Sequence, residues 1–330
     1  MRLLLLGGTG FVGRVVVEEA RTRGHHITVL NRGHRPPPPG TTGLIGDRRE
    51  PGGLAALAGG TWDLVVDTWS GAPAVVGASA AALSGRAGHY TYVSSRSVYD
   101  PDDKTVPHTE AAAVVKADPD ADHADDYAAA KRGAELAAQR HFDGPVLLGR
   151  AGLILGPHED IGRLPWWLNR IARGGPTLAP GTPGLKIQYI DVRDLAGWLL
   201  DAAADGRTGA YDLVSPSGHT TMGELLETIN TVTGGHAELR WTPAQTILDA
   251  GITPWMDLPI WLAPGDDYDL LHRGDVSKAL RAGLRLRPVA DTVTDTWAWL
   301  RSIGGEAPQR PDRPTVGLDP EREAGVLAAG

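Results

Sequence analysis

The sequence predicts an α/β protein with a doubly wound parallel sheet, followed by a smaller, mixed α/β lobe. In the first half, short apolar runs alternate with stretches of helical periodicity, and parallel strands need helical crossovers to connect them. Beyond about residue 155 this alternation becomes irregular, and prolines and tryptophans become frequent. The 330 residues also exceed the usual size of a single hydrophobic core, which favours two lobes.

Each strand of the predicted sheet is an apolar run bounded by turn or helix signals. We expect strands at Leu3–Leu6, Ile27–Leu30, Leu64–Asp67, Tyr90–Ser94 and Val146–Leu148. Apolar residues at helical spacing predict helices between them, at Phe11–Arg23, Ala72–Leu83 and Asp126–Arg140. Because these strands are apolar almost throughout, both faces of the sheet are expected to be covered.

The expected domain organisation follows from the changes in composition and in strand–helix alternation along the chain. A first domain should span residues 1–155 and be completed by about residues 186–215. Residues 156–185 and 216–303 should form a second, substrate-binding lobe. Residues 304–330 are interpreted as a solvated linker and a short terminal helix.

Composition and charge exclude several classes of function. The formal net charge of −8 repels a phosphate backbone, which argues against nucleic acid as the main partner. The absence of cysteine excludes disulfides, thiolate metal sites and a cysteine nucleophile. The histidines show no metal-binding spacing, so no metal is expected. The first apolar run stops at Gly7, too short for a signal peptide or a membrane span, so we expect a cytoplasmic protein without membrane contact.

A glycine-rich turn joins the first predicted strand to the first helix. One glycine permits the tight turn, one lets the backbone approach a pyrophosphate, and one lets the helix pack closely on the strand. The free N–H groups and the dipole of the helix would then hold the anion. The alternative is a plain strand-to-helix turn, but the position between a strand and a helix at the start of the chain favours a dinucleotide site formed by Gly7, Thr9, Gly10, Phe11, Val12 and Gly13.

The end of the second predicted strand favours NADP over NAD as the cofactor. NAD-specific folds usually carry an acid there, but this chain has Asn31 and Arg32, with Arg35 nearby. A guanidinium binds phosphate through a forked pair of hydrogen bonds, so these residues would attract a 2′-phosphate. Arg32 could instead be a solvated loop residue. Asp47, after the third strand, is placed either to contact adenine or to cap a helix.

A tyrosine and a lysine are the leading catalytic candidates. Tyr127 and Lys131 lie four residues apart, on one face of a predicted helix. A nearby ammonium stabilises a phenolate, which lets a tyrosine exchange protons closer to neutral pH. The alternative is an incidental surface pair.

Three serines, Ser94, Ser95 and Ser97, lie at or just after the end of the strand before this helix, at the sheet edge where ligands bind in open α/β folds. A hydroxyl there can hydrogen-bond a substrate carbonyl. The residues alone do not choose among the three.

The sequence resembles the short-chain dehydrogenase/reductase superfamily, in its NAD-dependent epimerase/dehydratase branch, extended or atypical. The resemblance implies a Rossmann-type dinucleotide-binding domain. The matching motifs extend over about the first 215 residues: Gly7…Gly13, Ser94-Ser95…Val98-Tyr99, Tyr127…Lys131, Gly152…Gly156-Pro157 and the segment from Tyr189 to Ala196.

The resemblance also implies roles for individual residues. Counting back from Val98-Tyr99, the family's catalytic hydroxyl falls on Ser95. Lys131 is implied to hydrogen-bond the nicotinamide ribose. The loop that follows Asp67 is implied to line the nicotinamide end of the cofactor, through Thr68, Trp69 and Ser70.

Departures from the family pattern narrow the expected reaction. Family dehydratases carry an Asp-Glu pair directly after the catalytic hydroxyl, where this chain has Arg96 and Ser97, so dehydration of that kind is not expected. We expect an NADP-preferring oxidoreductase that transfers hydride to or from a carbonyl or alcohol of a small, partly apolar metabolite. The alternatives are a nucleotide-sugar epimerase with retained NAD and a non-catalytic dinucleotide-binding protein. Relatives commonly dimerise, so a homodimer is possible.

Candidate substrate contacts come from both predicted lobes. Ser70, Arg96 and Ser97 lie near the predicted catalytic edge. His158 follows a Gly-Pro turn near the predicted lobe boundary. Trp166 belongs to a group of tryptophans that is interpreted either as core packing or as the aromatic wall of a pocket.

Overall fold

The computed structural model describes residues 1–306 and 309–329. The strands are β1 (Arg2–Leu6), β2 (His26–Asn31), β3 (Thr42–Ile45), β4 (Leu64–Asp67), β5 (Tyr90–Ser95), β6 (Val146–Ala151), β7 (Ile154–Leu155), β8 (Gly175–Pro180), β9 (Lys186–Ile187), β10 (Ile190–Asp191), β11 (Gly209–Leu213), β12 (Thr220–Thr221) and β13 (Ala237–Thr242). The helices are α1 (Phe11–Thr22), α2 (Pro73–Leu83), α3 (Tyr127–His141), α4 (Arg163–Ala172), α5 (Val192–Ala204), α6 (Met222–Thr233), α7 (Ala244–Asp249), α8 (Asp266–His272), α9 (Ser277–Arg281), α10 (Val289–Ser302) and α11 (Pro320–Ala329).

Seven strands form one parallel sheet in the order β11-β6-β5-β4-β1-β2-β3. The order runs outward in both directions from β1, so the predicted doubly wound α/β fold is confirmed. Leu3–Leu6 are at most 1% exposed, as expected for a central strand covered on both faces. Helices α2 and α3 pack on each other and share a core with Tyr90 and Tyr92 of β5.

The chain divides into two compact units. The first comprises Met1–Gly152, Arg193–Leu213 and Val276–Arg285. The second comprises Leu153–Val192, Val214–Asp275 and the described residues from Leu286 onward. Residues 186–192, which were expected in the first domain, belong to the second unit. Helix α9, which was expected in the second lobe, belongs to the first unit. Lys278 holds α9 there, because its Nζ donates to the carbonyl of Ala210, in β11, at 2.5 Å.

The second unit has small strand pairs and a tryptophan-rich core. β8 pairs with β13 and β7 with β10, both in parallel, while β9 pairs with β12 antiparallel. Trp167 and Trp261 are fully buried in its core. The terminal helix α11 is anchored by Glu323, which accepts from Arg170 Nε at 2.6 Å and from the Leu178 N–H at 3.0 Å. Among the described residues, no helix has the length and apolarity needed to cross a membrane.

Candidate active site

The glycine-rich turn between β1 and α1 has a geometry that side chains would disturb. Gly7 has φ +117°, and a Cβ there would lie 2.5 Å from Thr68 Oγ1. A Cβ on Gly13 would lie 3.0 Å from Gly8 Cα, so α1 packs directly against the turn. Two of the three glycines are therefore required by the close approach of protein atoms.

Gly10 is different, because a Cβ on this residue would meet no described atom within 4 Å. Gly10 is the N-cap residue of α1, and the first turn of that helix carries no acidic side chain and no side-chain cap among the described residues. The first N–H groups of an α-helix have no partner within the helix, and the positive end of the helix dipole lies behind them. This arrangement fits the pyrophosphate of a dinucleotide.

The end of β2 carries cationic side chains beside this turn. Arg32 and Arg35 are exposed, and Arg35 Nη1 donates to the Thr9 carbonyl at 3.3 Å. Asn31 Oδ1 accepts from the Gly33 N–H at 2.8 Å. The Nδ2 of Asn31 is buried and has no hydrogen-bond partner among the described residues, so it could donate to a bound group.

Asp47, predicted either to contact adenine or to cap a helix, is engaged by its neighbour. Its Oδ2 accepts from Arg49 Nη2 at 2.7 Å, and its Oδ1 accepts from the Arg49 N–H at 3.1 Å. The hydrogen bonds from Arg49 lower the pKa of Asp47 to about 2. The carboxylate is therefore a turn-stabilising group in this structure and stays ionised.

The two leading catalytic candidates lie in the first two turns of α3. Asp126 starts the helix, because its Oδ1 accepts from the Ala129 N–H at 2.6 Å. Tyr127 is 38% exposed, whereas Lys131, one turn further on, is 4% exposed. Lys131 Nζ donates to the carbonyls of Trp69 at 2.7 Å and Val93 at 2.8 Å. The ammonium is thus fixed against β5 and the loop after β4, while the Tyr127 side chain is partly exposed to solvent.

The three candidate serines differ in their surroundings. Ser94 is buried, and its hydroxyl donates to Glu135 at 2.7 Å, which is a structural role. Ser95 ends β5 and is half-buried; its Oγ accepts from the Ser97 N–H at 3.1 Å. Ser97 is exposed and its Oγ lies 3.1 Å from that of Ser95. Lys131 binds β5 only two residues before Ser95, so Ser95 lies at the same end of the sheet as the lysine.

A buried network around Glu135 was not anticipated from the sequence. Arg150 Nε and Nη2 each donate to this carboxylate at 2.9 Å, and Arg132 Nη1 donates at 2.8 Å. Burial alone would raise the pKa of Glu135, but the bonds from Arg150, Ser94 and Arg132 outweigh it and leave the pKa lowered. The sequence offered one signal for this network: Glu135 lies four residues after Lys131, and therefore on the same face of the helix.

Arg96, predicted as a substrate contact, is placed in the interior of the first unit. Its side chain is 2% exposed and lies 3.3 Å from the carboxylate of Asp212. Tyr99 donates to the same carboxylate at 2.6 Å. Burial raises the pKa of Asp212 to about 6, although Arg96 and Tyr99 both act to lower it. This position leaves Arg96 little surface with which to touch a substrate.

The remaining substrate candidates are distributed over both units. Ser70 is half-buried in the loop after β4. His158 has φ 73°, and its ring packs edge-on against Trp299 at 5.4 Å between centroids. Trp166 packs edge-on against Trp167 at 4.7 Å. The two aromatic side chains from the second unit therefore contribute at least to its packing.

Comparison with known proteins agrees with this geometry. Residues 59–213 match the model of the NAD dependent epimerase/dehydratase family. The resemblance of this chain to that family is therefore confirmed. The matched segment includes the loop after β4, the three candidate serines, and both Tyr127 and Lys131. No curated protein sequence gave a significant match.

Solved structures of similar fold cover almost the whole chain. A putative epimerase from Burkholderia cenocepacia J2315 has a TM-score of 0.68 at 20% identity, over 91% of this chain and 98% of that one. UDP-N-acetylglucosamine 4-epimerase from Bacillus cereus has a TM-score of 0.65 at 16% identity, over 91% and 99%. WbmH from Bordetella bronchiseptica, solved in complex with NAD+, has a TM-score of 0.66 at 17% identity, over 92% and 99%. At these identities the likeness establishes the fold.

The glycine turn yields a paired prediction. Gly10→Ala should change the free energy of unfolding by less than about 1 kcal/mol, because the new methyl group meets no protein atom, yet weaken dinucleotide binding about tenfold by occupying the approach to the N–H groups. Gly13→Ala should cost about 1–3 kcal/mol, because its methyl group presses on the Gly8 backbone. Urea unfolding and calorimetric titration measure both quantities. Undiminished dinucleotide affinity in folded Gly10→Ala would remove this turn from the binding site.

Proposed function

We propose that this chain is an NADP-preferring oxidoreductase that transfers hydride to or from a carbonyl or alcohol of a small, partly apolar metabolite. The observation that carries the proposal is the buried Lys131 ammonium. It is fixed by the Trp69 and Val93 carbonyls, one helical turn from the half-exposed Tyr127. A fixed ammonium one helical turn from an accessible phenol suits proton transfer to or from a substrate oxygen.

In the proposed reaction, different residues of the first unit have different roles. The turn from Gly7 to Gly13 would hold the pyrophosphate, and the loop after β4 would lie at the nicotinamide end. When bound, the dinucleotide supplies or accepts the hydride. Tyr127 donates a proton to the substrate oxygen in the reductive direction and accepts one in the oxidative direction. Lys131 stabilises the phenolate by its charge, and Ser95 Oγ donates a hydrogen bond to the same substrate oxygen.

The preference for NADP is supported by the charges at the end of β2. Asn31 occupies the place of the acid that holds a ribose 2′-hydroxyl in NAD-specific folds. Arg32 and Arg35 are exposed beside the glycine turn, where a 2′-phosphate could pair with a guanidinium. The buried Nδ2 of Asn31 offers a further donor.

A second candidate function is epimerisation with a retained NAD. It is supported by the similar structures of epimerases, among them UDP-N-acetylglucosamine 4-epimerase from Bacillus cereus. Epimerisation would use the same tyrosine, lysine and serine, removing hydride and returning it to the opposite face of the substrate. A purely dinucleotide-binding protein is the third possibility; it would not need a fixed lysine ammonium one helical turn from a tyrosine.

The dinucleotide that copurifies with the protein separates the first two functions. We expect denatured, freshly purified protein to release little dinucleotide and the native protein to take up added NADPH, because a reductase must exchange its cofactor in every turnover. Chromatography of the supernatant identifies and quantifies what is released. Stoichiometric NAD+ in the supernatant would instead favour epimerisation.

Tyr127→Phe should reduce turnover by about 10²–10⁴-fold and leave NADPH affinity nearly unchanged, because the hydroxyl is the proton donor and not a cofactor anchor. Oxidation of NADPH in the presence of a panel of ketones and aldehydes measures turnover, and fluorescence titration measures affinity. Tyr268→Phe is the matched control, since its hydroxyl bonds the Lys186 carbonyl in the second unit. Equal activity of Tyr127→Phe and the parent protein would refute the proposed function.

Arg32→Glu should lower the affinity for NADP relative to NAD by about tenfold or more, because it replaces an attraction for the 2′-phosphate with a repulsion. Arg21→Glu makes the same change of charge at the far end of α1 and should leave the ratio of affinities unchanged. Titration with each dinucleotide gives both dissociation constants. An unchanged ratio in Arg32→Glu and in Arg35→Glu would contradict the assigned preference.

A further inference from the structure

The position of the Lys131 ammonium depends on two carbonyls that are held in different ways. Val93 lies within β5, so its carbonyl is fixed by the sheet. Trp69 lies in the loop that follows β4, outside the sheet ladder. A loop carbonyl holds an ammonium in a defined place only if the loop itself is anchored.

Asp67, the last residue of β4, provides this anchor. Its side chain is fully buried, and its Oδ1 accepts from the Trp69 N–H at 3.0 Å. The carbonyl of Trp69 accepts two hydrogen bonds, from Lys131 Nζ at 2.7 Å and from the Tyr92 hydroxyl at 3.0 Å. The Trp69 backbone is therefore held at both its N–H and its C=O.

Arg48 keeps the Asp67 carboxylate in place. Its Nη1 and Nη2 donate to the two carboxylate oxygens at 2.7 Å each, in a bidentate pair whose members are 6% and 0% exposed. Tyr90 donates to Asp67 at 2.6 Å, and Arg48 Nε donates to Ser79 Oγ at 2.9 Å. The guanidinium also lies 5.2 Å from the centre of the Trp69 ring. Both the backbone and the side chain of Trp69 thus contact this ion pair.

Stability alone gives little reason for such a pair. Removing two charges from water costs about as much as their attraction returns, so an apolar pair of similar volume would serve the core as well or better. Bidentate geometry does supply what an apolar pair lacks, namely a fixed direction for the remaining carboxylate lone pairs. In this chain one of those lone pairs points at the Trp69 N–H.

We propose that Arg48 and Asp67 are positioning residues that fix the Trp69 peptide so that its carbonyl holds the Lys131 ammonium at the catalytic edge. The functional meaning of this arrangement rests on the proposed function, in which Lys131 supports Tyr127. Whether Arg48 and Asp67 fix the Lys131 ammonium can be tested on the protein without cofactor or substrate.

The test observes the lysine ammonium groups directly by nuclear magnetic resonance. The protein is made with isotope-labelled lysine, and hydrogen exchange of each ammonium with water is measured from proton–nitrogen correlation spectra. The chain has five lysines, and Lys131→Met assigns the signal of Lys131. Lys278, which donates to the Ala210 carbonyl in the same unit, serves as an internal reference. Asp67→Asn should speed exchange at Lys131 about tenfold or more and leave Lys278 unchanged.

A matched control separates positioning from general destabilisation. Glu323→Gln disrupts another buried ion pair, with Arg170, whose members are 8% and 6% exposed, in the second unit. It should lower the free energy of unfolding and leave the Lys131 signal unchanged. Arg48→Lys retains the charge but loses the bidentate geometry, and should give an intermediate acceleration of exchange. If Asp67→Asn does not fold, hydrogen exchange at Lys131 in Arg48→Lys is the deciding measurement.

The outcomes distinguish this inference from the proposed function. Unchanged exchange at Lys131 in a folded Asp67→Asn or Arg48→Lys protein would overturn the inference, whatever the enzyme's activity. Equal acceleration at Lys278, or in Glu323→Gln, would also overturn it, because the effect would then be general. Accelerated exchange at Lys131 alone supports it, even if Tyr127→Phe were to retain full turnover and the proposed function were lost.

Discussion

A lysine ammonium that leaves water must have its lost hydrogen bonds replaced, and in this chain that constraint organises the first unit. Lys131 is almost fully buried and takes its replacements from the carbonyls of Trp69 and Val93. These two bonds connect α3 to the loop after β4 and to the body of β5. Three segments that are distant in sequence are thereby brought to one edge of the sheet, and Tyr127 begins the same helix one turn before Lys131.

The buried charges of the first unit are concentrated at that same edge. Asp67 ends β4, Arg150 lies one residue before the end of β6, Asp212 lies one residue before the end of β11, and Arg96 directly follows β5. The interior of β1 is in contrast entirely leucine. Ion pairs in an interior specify direction more than they add stability, so this distribution suits an edge where several loops must keep a definite geometry. The apolar strands provide the stability on which that geometry depends.

The elements that the sequence predicted are those whose signals are local. The strands at Leu64–Asp67 and Tyr90–Ser94 and the helix around Tyr127 agree with the structure to within one residue, because apolar runs and capping residues are read over a few positions. The pairing of Arg48 with Asp67 could not be read in this way, since it depends on how two chain segments cross in space. The burial of Arg96 could not be read from the sequence either, because it depends on a distant carboxylate, that of Asp212, which lies beside the Arg96 side chain.

The candidate site has a buried part and an exposed part, to which the proposed function assigns the chemistry and the selection of the dinucleotide, respectively. Lys131 is buried and held by short hydrogen bonds, whereas Arg32 and Arg35 are exposed at the end of β2. Reduction and epimerisation both require the first arrangement, because both move a hydride and a proton at one carbon–oxygen bond. They differ in whether the cofactor leaves after each turnover, which depends on how strongly the exposed region and the glycine turn bind it. A shared fold and a shared catalytic set are therefore compatible with either outcome, and the affinity for the dinucleotide is the physical quantity that decides between them.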